Sequence, residues 1–522
     1  MSTAERVTYA TLAAGQTEEF RKKYDEAVER VRASFGKTHP HRIDGQELMS
    51  PRSFEDRSPV DTRLVIGSFP IGTKEDVDRA ILAAKRGFPE WSGRPWQERS
   101  AIIRKAADLI EERGFELSAL VSLEAGKNRL EAMGDVTETA DLARYYCEQM
   151  EKNGGFDRPM SRFTPNEETR SVLKPYGVWV IISPFNFPFA LAGGPVSGAL
   201  VAGNTVVLKP SHETPLTALA LHNIFREAGV PAGALHLVFG TGPETGEALT
   251  SHPAVDGILF TGSKAVGMNI YHRFSQNYPK PCITEMGGKN PAIVMASANL
   301  EDAAEGVMKS AFGLQGQKCS ACSRIYVQRR VKDTFLELLL QKTKAITIGD
   351  PSRHGIWLGP LIHQRAYKDY AKYAELAWKD GKVLTGGKAL TDGDLAHGYF
   401  VAPTLVDGLP TDHYLFQNEL FQPMACIAPF EALDEALELA NGTEYGLTAG
   451  FFSADPKDVD RFLEKIEAGV VYVNRKAGAT TGAWPGVQPF GGWKGSGSSG
   501  KASGGLYYVQ QFMREQSRTI VH

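Results

Sequence analysis

Gly177-Val-Trp-Val-Ile-Ile-Ser183-Pro-Phe-Asn186-Phe-Pro188 opens with five apolar, mostly β-branched residues and no polar alternation. Such a run predicts a strand buried on both faces, as in a parallel sheet covered by helices. Outward from it, similar runs recur at Thr205–Leu208, Leu235–Phe239 and Ile258–Phe260, separated by helix-like stretches at Ala190–Val201, Pro215–Ala228 and Pro243–Thr250. The alternation predicts an α/β lobe. A second series follows Glu285. Ile293–Met295, Ile325–Val327, Thr404–Val406, Ala425–Ala428 and Val470–Val473 read as strands, and Glu301–Phe312, Val331–Lys344 and Leu433–Asn441 as helices. Two α/β lobes with a boundary near residue 285 follow.

Upstream, Thr73-Lys-Glu-Asp76 resembles a capping signal, and Val77, Ala80, Ile81, Ala84 and Phe88 follow at helical spacing. Asn153–Lys174 and the glycine-rich tail after Phe490 fit neither lobe and are expected to form a smaller extended element together.

A chain of 522 residues is too long for one small core. Its formal charge of −3 argues against a sequence-independent nucleic-acid binder. No apolar run is long enough to span a bilayer, and the start lacks a secretory signal, so no membrane partner is expected. Five scattered cysteines fit a reducing cytoplasm without a disulfide framework.

Phe312-Gly-Leu-Gln-Gly316-Gln-Lys-Cys319-Ser-Ala is the chemically telling motif. A free thiol needs nearby amides or charge to ionise at neutral pH, and Gly313 and Gly316 permit a tight turn that aims amides at the sulfur. A lone cysteine is more often buried and inert, as Cys147, Cys282 and Cys426 are expected to be. The flanking residues make Cys319 the candidate nucleophile. Glu285-Met-Gly287-Gly288 fixes an acid on a double-glycine bend, suited to activating water. Asn186, between two prolines at a strand end, suits holding an amide toward an oxyanion.

Cys319-Ser-Ala-Cys322 also reads as a redox dithiol, but strand-like Arg324–Val327 follows it instead of a helix. Zinc lacks a second ligand pair, and no metal site is expected. Gly240-Thr-Gly242-Pro-Glu-Thr-Gly246 and Phe260-Thr-Gly262-Ser263 are strand-to-helix junctions able to present amides to a phosphate. Gly495-Ser-Gly-Ser-Ser-Gly500-Lys501 imitates a P-loop, but Ala502 replaces the magnesium-binding hydroxyl and no apolar strand precedes it, which excludes an ATP site.

Together, Ser183–Pro188, Val207-Leu-Lys209-Pro210, Phe260–Ser263, Glu285–Asn290, Phe312–Cys319, Glu419-Leu-Phe421 and Pro489-Phe-Gly-Gly492 resemble the aldehyde dehydrogenase superfamily, from about Phe54 to the C-terminus. The resemblance implies two α/β lobes with Rossmann-like parallel sheets plus a small β oligomerisation arm. Residues 1–152 and 175–284 would form the dinucleotide-binding domain, 285–490 the catalytic domain, and 153–174 with 491–522 the arm. It implies oxidation of an aldehyde by Cys319, Glu285 and Asn186. The dinucleotide would lie against Ser183, Pro184, Phe185, Lys209, Ser211, His212, Gly242, Gly246, Thr261, Gly262, Ser263, Gly287, Glu419 and Phe421.

Within the superfamily, Gly-Gln-Lys-Cys319-Ser320 and Asn474-Arg-Lys476 through Val487-Gln-Pro-Phe490 are most similar to the glutamate γ-semialdehyde (1-pyrroline-5-carboxylate) dehydrogenases. Ser320, Gly482 and Ala483 match the family's α-carboxylate anchor, and Phe187 and Phe490 would pack around the aliphatic stem. Dehydrogenases for other semialdehydes, such as succinate semialdehyde, are the alternative, and a redox or binding protein built on the dithiol a remoter one.

The chain departs from the family in carrying a small insertion between Lys476 and Thr481, Phe185 where tryptophan is usual, and Gln422 for a glycine. NAD is the expected cofactor. His212 stands where many NAD-using members carry an acid, with Glu213 next, so NADP is the alternative. A cytoplasmic homo-oligomer joined through the arm is expected.

Overall fold

The computed structural model describes residues 17–522; residues 1–16 of the expected first segment lie outside the described residues. Val178–Ile182 is an inner strand of a seven-stranded sheet. Across that sheet the order is Cys282–Glu285, Gly257–Thr261, Val178–Ile182, Thr205–Lys209, Leu235–Leu237, His41–Ile43 and Gln46–Leu48. The first five strands run parallel and the last two pair antiparallel at the edge. Alternate residues serve opposite faces, as the pleat requires. Trp179 and Ile181 join Val206, Leu208 and Leu259 in one core, while Val178 and Val180 join Val207 and Ile258 in the other. Burial on both faces is why the sequence runs apolar without alternation.

The second sheet also has seven strands, in the order Lys382–Thr385, Thr404–Asp407, Met424–Phe430, Cys322–Gln328, Asn290–Val294, Thr448–Phe452 and Val470–Val473. All its pairings are parallel except that of Lys382–Thr385, at one edge. The expected helix Pro243–Thr250 is present, its first part a π-helix, Gly242–Gly246, and the rest the short α-helix Glu247–Ser251.

Glu167–Pro175 pairs antiparallel with Met513–Val521 along its whole length and with Asp157–Pro159 on its other side, forming a separate three-stranded sheet. The expectation assigned the whole tail 491–522 to this element, but the structure divides it. Trp493–Lys494 pairs with Tyr445–Gly446 of the second lobe. Next, Ser496 O accepts from Met286 N at 2.8 Å, and Ser498 N donates to Thr284 O at 3.1 Å. These residues cover Cys282–Glu285, an edge strand whose backbone groups would otherwise lack partners. The segment that imitates a P-loop is this strap.

Candidate active site

Ser183, Lys209, Thr261 and Glu285 all lie at or just beyond the carboxyl ends of parallel strands in the first sheet. Ligands of open α/β sheets bind in that crevice. The second sheet presents its amino ends to the same seam: Asn290 and Cys322 begin strands there. Glu285, the expected first residue of the catalytic domain, is thus the last residue of the first sheet's edge strand, in register with Thr261.

Three successive left-handed residues, Leu314, Gln315 and Gly316, turn the chain between the helix Leu300–Phe312 and Cys319. At Gly316 a Cβ would come within 2.2 Å of Gln422 O, so only glycine fits. The loop is then pinned from several sides. Asn290 Nδ2 donates to Cys319 O at 2.7 Å and to Ala321 O at 2.9 Å. Gly288 lies so close that a Cβ would stand 2.4 Å from Cys319 O. Asn186 Nδ2 donates to Gln317 O at 3.0 Å, which orients the amide beside the nucleophile and leaves its second proton for another acceptor.

Burial pushes the Cys319 thiol up to about 12, and the charges of Glu419 and Glu285 push the same way. The amides of Ser320 and Cys319 face the sulfur and oppose that rise. Burial likewise lifts Glu285 to about 8, with only the Gly492 amide against it, and its Oε2 has no hydrogen-bond partner. A carboxyl raised toward neutrality in a largely buried seam near a thiol suits general-base chemistry.

Cys322 belongs to the core of the second lobe, and its Sγ donates to Arg324 O at 3.6 Å. Among the described residues no group of three or more His, Cys, Asp or Glu side chains could hold a metal ion.

The residues expected around a dinucleotide fit one. Burial alone, with no carboxylate beside it, lowers Lys209 to about 8, and its Nζ donates to Pro210 O at 3.0 Å. A buried ammonium with donors to spare suits ribose hydroxyls. Gly246 lies against the Lys209 stem, a Cβ on Gly242 would meet open space, and the buried Thr241 Oγ1 has no partner. Ser263 precedes the helix Lys264–Phe274 with its side chain uncommitted to the cap. Glu419 Oε1 accepts from Gly288 N at 3.0 Å, and a Cβ on Gly287 would strike that carboxylate. Phe185 packs edge-on against Phe421 with ring centres 5.9 Å apart, joining the two expected cofactor segments. Gln422 turns away, its Nε2 donating to Ala366 O at 2.9 Å. His212 is half exposed and its Nε2 is 3.0 Å from Glu213 Oε1.

On the substrate side, Phe187 carries Lys127 Nζ over its ring at 3.6 Å, and Phe490 is half-buried. The insertion before Thr481 is folded inward: Thr480 Oγ1 donates to Ser320 O at 2.7 Å, tying it to the residue after the nucleophile. Arg475 donates to Thr481 O, and its Nη2 to Gly482 O at 3.2 Å.

Sequence reasoning missed Arg475 and Tyr472, and also the ion pairs Lys127–Asp135 and Glu131–Lys318 behind the loop. Only Lys318, a charge next to the nucleophile, carried a signal that could have been read.

Residues 47–517 match the aldehyde dehydrogenase family model. A relative from Geobacillus sp. (strain WCH70), named 1-pyrroline-5-carboxylate dehydrogenase, is 38% identical over 505 residues, covering 96% of each chain. A 1-pyrroline-5-carboxylate dehydrogenase from Thermus, solved with bound NAD, superposes with a TM-score of 0.93 at 34% identity over 97% of both chains. Betaine aldehyde dehydrogenase from Staphylococcus aureus, solved with NAD+, gives a TM-score of 0.88 at 30% identity, covering 94% of this chain and 95% of that one. A buried thiol and a buried carboxyl at the seam of two parallel sheets, on a chain matched along nearly its whole length, lead to one conclusion: the chain belongs to the aldehyde dehydrogenase family.

Proposed function

We propose that the protein oxidises L-glutamate γ-semialdehyde, the open-chain form of 1-pyrroline-5-carboxylate, to L-glutamate in proline degradation, using NAD. The observation that carries the reading is the meeting of two loops, where Thr480, at the head of the Thr480–Ala483 segment, bonds to Ser320 beside Cys319, an arrangement suited to an aldehyde bearing a carboxylate at its far end. The relatives' names support the same substrate.

Cys319 Sγ attacks the aldehyde carbon and gives its proton to Glu285. The free Asn186 amide proton and the Cys319 amide hold the resulting oxyanion, an interaction worth about 2.7–4 kcal/mol per donor. NAD, when bound, supplies the acceptor for the hydride that leaves the carbinol carbon. Glu285, having passed the first proton to solvent, then takes a proton from water as that water attacks the thioester, and returns it to the departing sulfur, releasing the acid and the thiol. Glu213 stands beside His212, and its negative charge favours NAD over a 2′-phosphorylated cofactor.

Exposed Ile520 and Val521 on the three-stranded sheet, with Met160 and Phe163 in the turn joining two of its strands, support assembly into a homo-oligomer through that sheet. No helix among the described residues is long and apolar enough to cross a membrane, and five free cysteines support a cytoplasmic location.

Glu285→Gln tests the mechanism. A single burst of reduced cofactor, about one per site, without steady turnover is expected; steady turnover at the wild-type rate would remove Glu285 from the base role. Comparing kcat/KM on glutamate γ-semialdehyde, succinate semialdehyde and butanal tests the substrate. A preference for either of the last two would replace the reading.

A further inference from the structure

Tyr472 lies on the strand Val470–Val473 with only 4% of its surface exposed, and its phenol oxygen has no hydrogen-bond partner. Leaving such a hydroxyl unpaired in a native interior is unfavourable, so its surroundings indicate what completes it. Burial raises its pKa, the Arg475 guanidinium and the Ala483 amide oppose that rise, and the charges of Glu138 and then Cys319 add to it. The Tyr472 ring lies 5.2 Å from the Arg475 guanidinium, which also holds Gly482 O, so the phenol lies beside the Gly482–Ala483 peptide.

Arg475 fixes how that peptide faces. Its guanidinium is 5.2 Å from the centre of the Tyr472 ring and donates to the consecutive carbonyls of Thr481 and Gly482. In a trans peptide the carbonyl and the following N–H point in opposite directions. Holding both carbonyls therefore turns the amides of Gly482 and Ala483 away from the guanidinium. Gly482 has φ +108°, and a Cβ there would strike the guanidinium, so the geometry needs both residues. The insertion does not displace this peptide freely, because Thr480 is tied to Ser320.

We propose that the Tyr472 hydroxyl donates to the far carboxylate of the substrate beside the Gly482 and Ala483 amides, and that Arg475 is the positioning residue that aims those amides. The hydroxyl is then a specificity determinant: an aldehyde without that carboxylate leaves it as unpaired as in the free protein, and gains nothing from it. This rests on the substrate reading above and adds the side chain that enforces it.

Steady-state kinetics of Tyr472→Phe on glutamate γ-semialdehyde and on butanal provide the test, with thermal melting as a check on folding. KM for the semialdehyde should rise about tenfold or more, the factor carried by one hydrogen bond to a charged group. Its kcat, and both constants for butanal, should stay unchanged. Arg475→Met should raise the same KM, and Arg475→Lys should restore part of it. An unchanged semialdehyde KM in Tyr472→Phe, or an equal rise for butanal, overturns the role of Tyr472 while leaving the substrate assignment standing. A wild-type enzyme that does not favour the semialdehyde over butanal overturns both.

Discussion

Lys127 and Asp135 are wholly buried, 3.1 Å apart, and Asp135 also accepts from Ala190 N at 2.8 Å at the start of a helix. Beside them Lys318 Nζ meets Glu131 Oε1 at 2.8 Å. Across the same loop, Glu285 and Cys319 are largely, though less completely, withdrawn from water, yet no cation compensates either of them. Each charge in the first cluster has its opposite; in the second, no cation holds thiol or carboxyl ionised, and burial raises both. The contrast separates support from chemistry. Paired buried charges hold the floor beneath Phe187 and the catalytic loop, while unpaired ones keep protons that a reaction can move.

If this division holds, substitutions in the two clusters should fail in different currencies. Cys319→Ala should lower turnover by on the order of 10⁴-fold or more while leaving the melting temperature near that of wild type. A large loss of stability would show that the sulfur belongs to the supporting cluster. Lys127→Met leaves Asp135 buried and uncompensated, and should destabilise by about 3–5 kcal/mol, read as a lower urea midpoint. A double variant, Lys127→Met with Asp135→Leu, should recover part of that loss. A single variant as stable as wild type would erase the distinction.

The last effect is read as a slope, the dependence on pH. Because Glu285 has its folded pKa raised to about 8 from 4.5, the folded protein keeps a proton that the unfolded chain releases. That contribution to stability is fully present below the unfolded value and is lost as pH rises to about 8. Between those limits Glu285→Gln should remove up to about 1.4 kcal/mol per pH unit from the slope of stability against pH. Parallel slopes for variant and wild type would place Glu285 among the compensated groups.

Much of this was legible in advance, for physical reasons. Val178–Ile182 and Thr205–Lys209 are covered on both faces, so their apolar runs are unambiguous. His41–Ile43 and Gln46–Leu48 escaped notice because edge strands carry polar residues. Cys319 and Glu285 stood out through flanking glycines, which the close approach of Gly288 to Cys319 O explains. Tyr472 could not stand out, since an aromatic residue on a buried strand reads as core until its hydroxyl is found without a partner. Arg475 was hidden for a different reason: its bonds reach only six and seven residues along the chain, into a loop whose path sequence does not specify.

The strap across the edge of the first sheet bears on the order in which the enzyme comes into being. Ser498 holds Thr284, beside the base, from 214 residues further along the chain. During synthesis the nucleophile loop and the base strand leave the ribosome long before the serines that secure them. Contacts of such separation form late, because closing a long stretch of chain must precede them. A nascent molecule therefore carries its reactive thiol and carboxyl in an unfinished setting, and competence arrives only with the last few dozen residues.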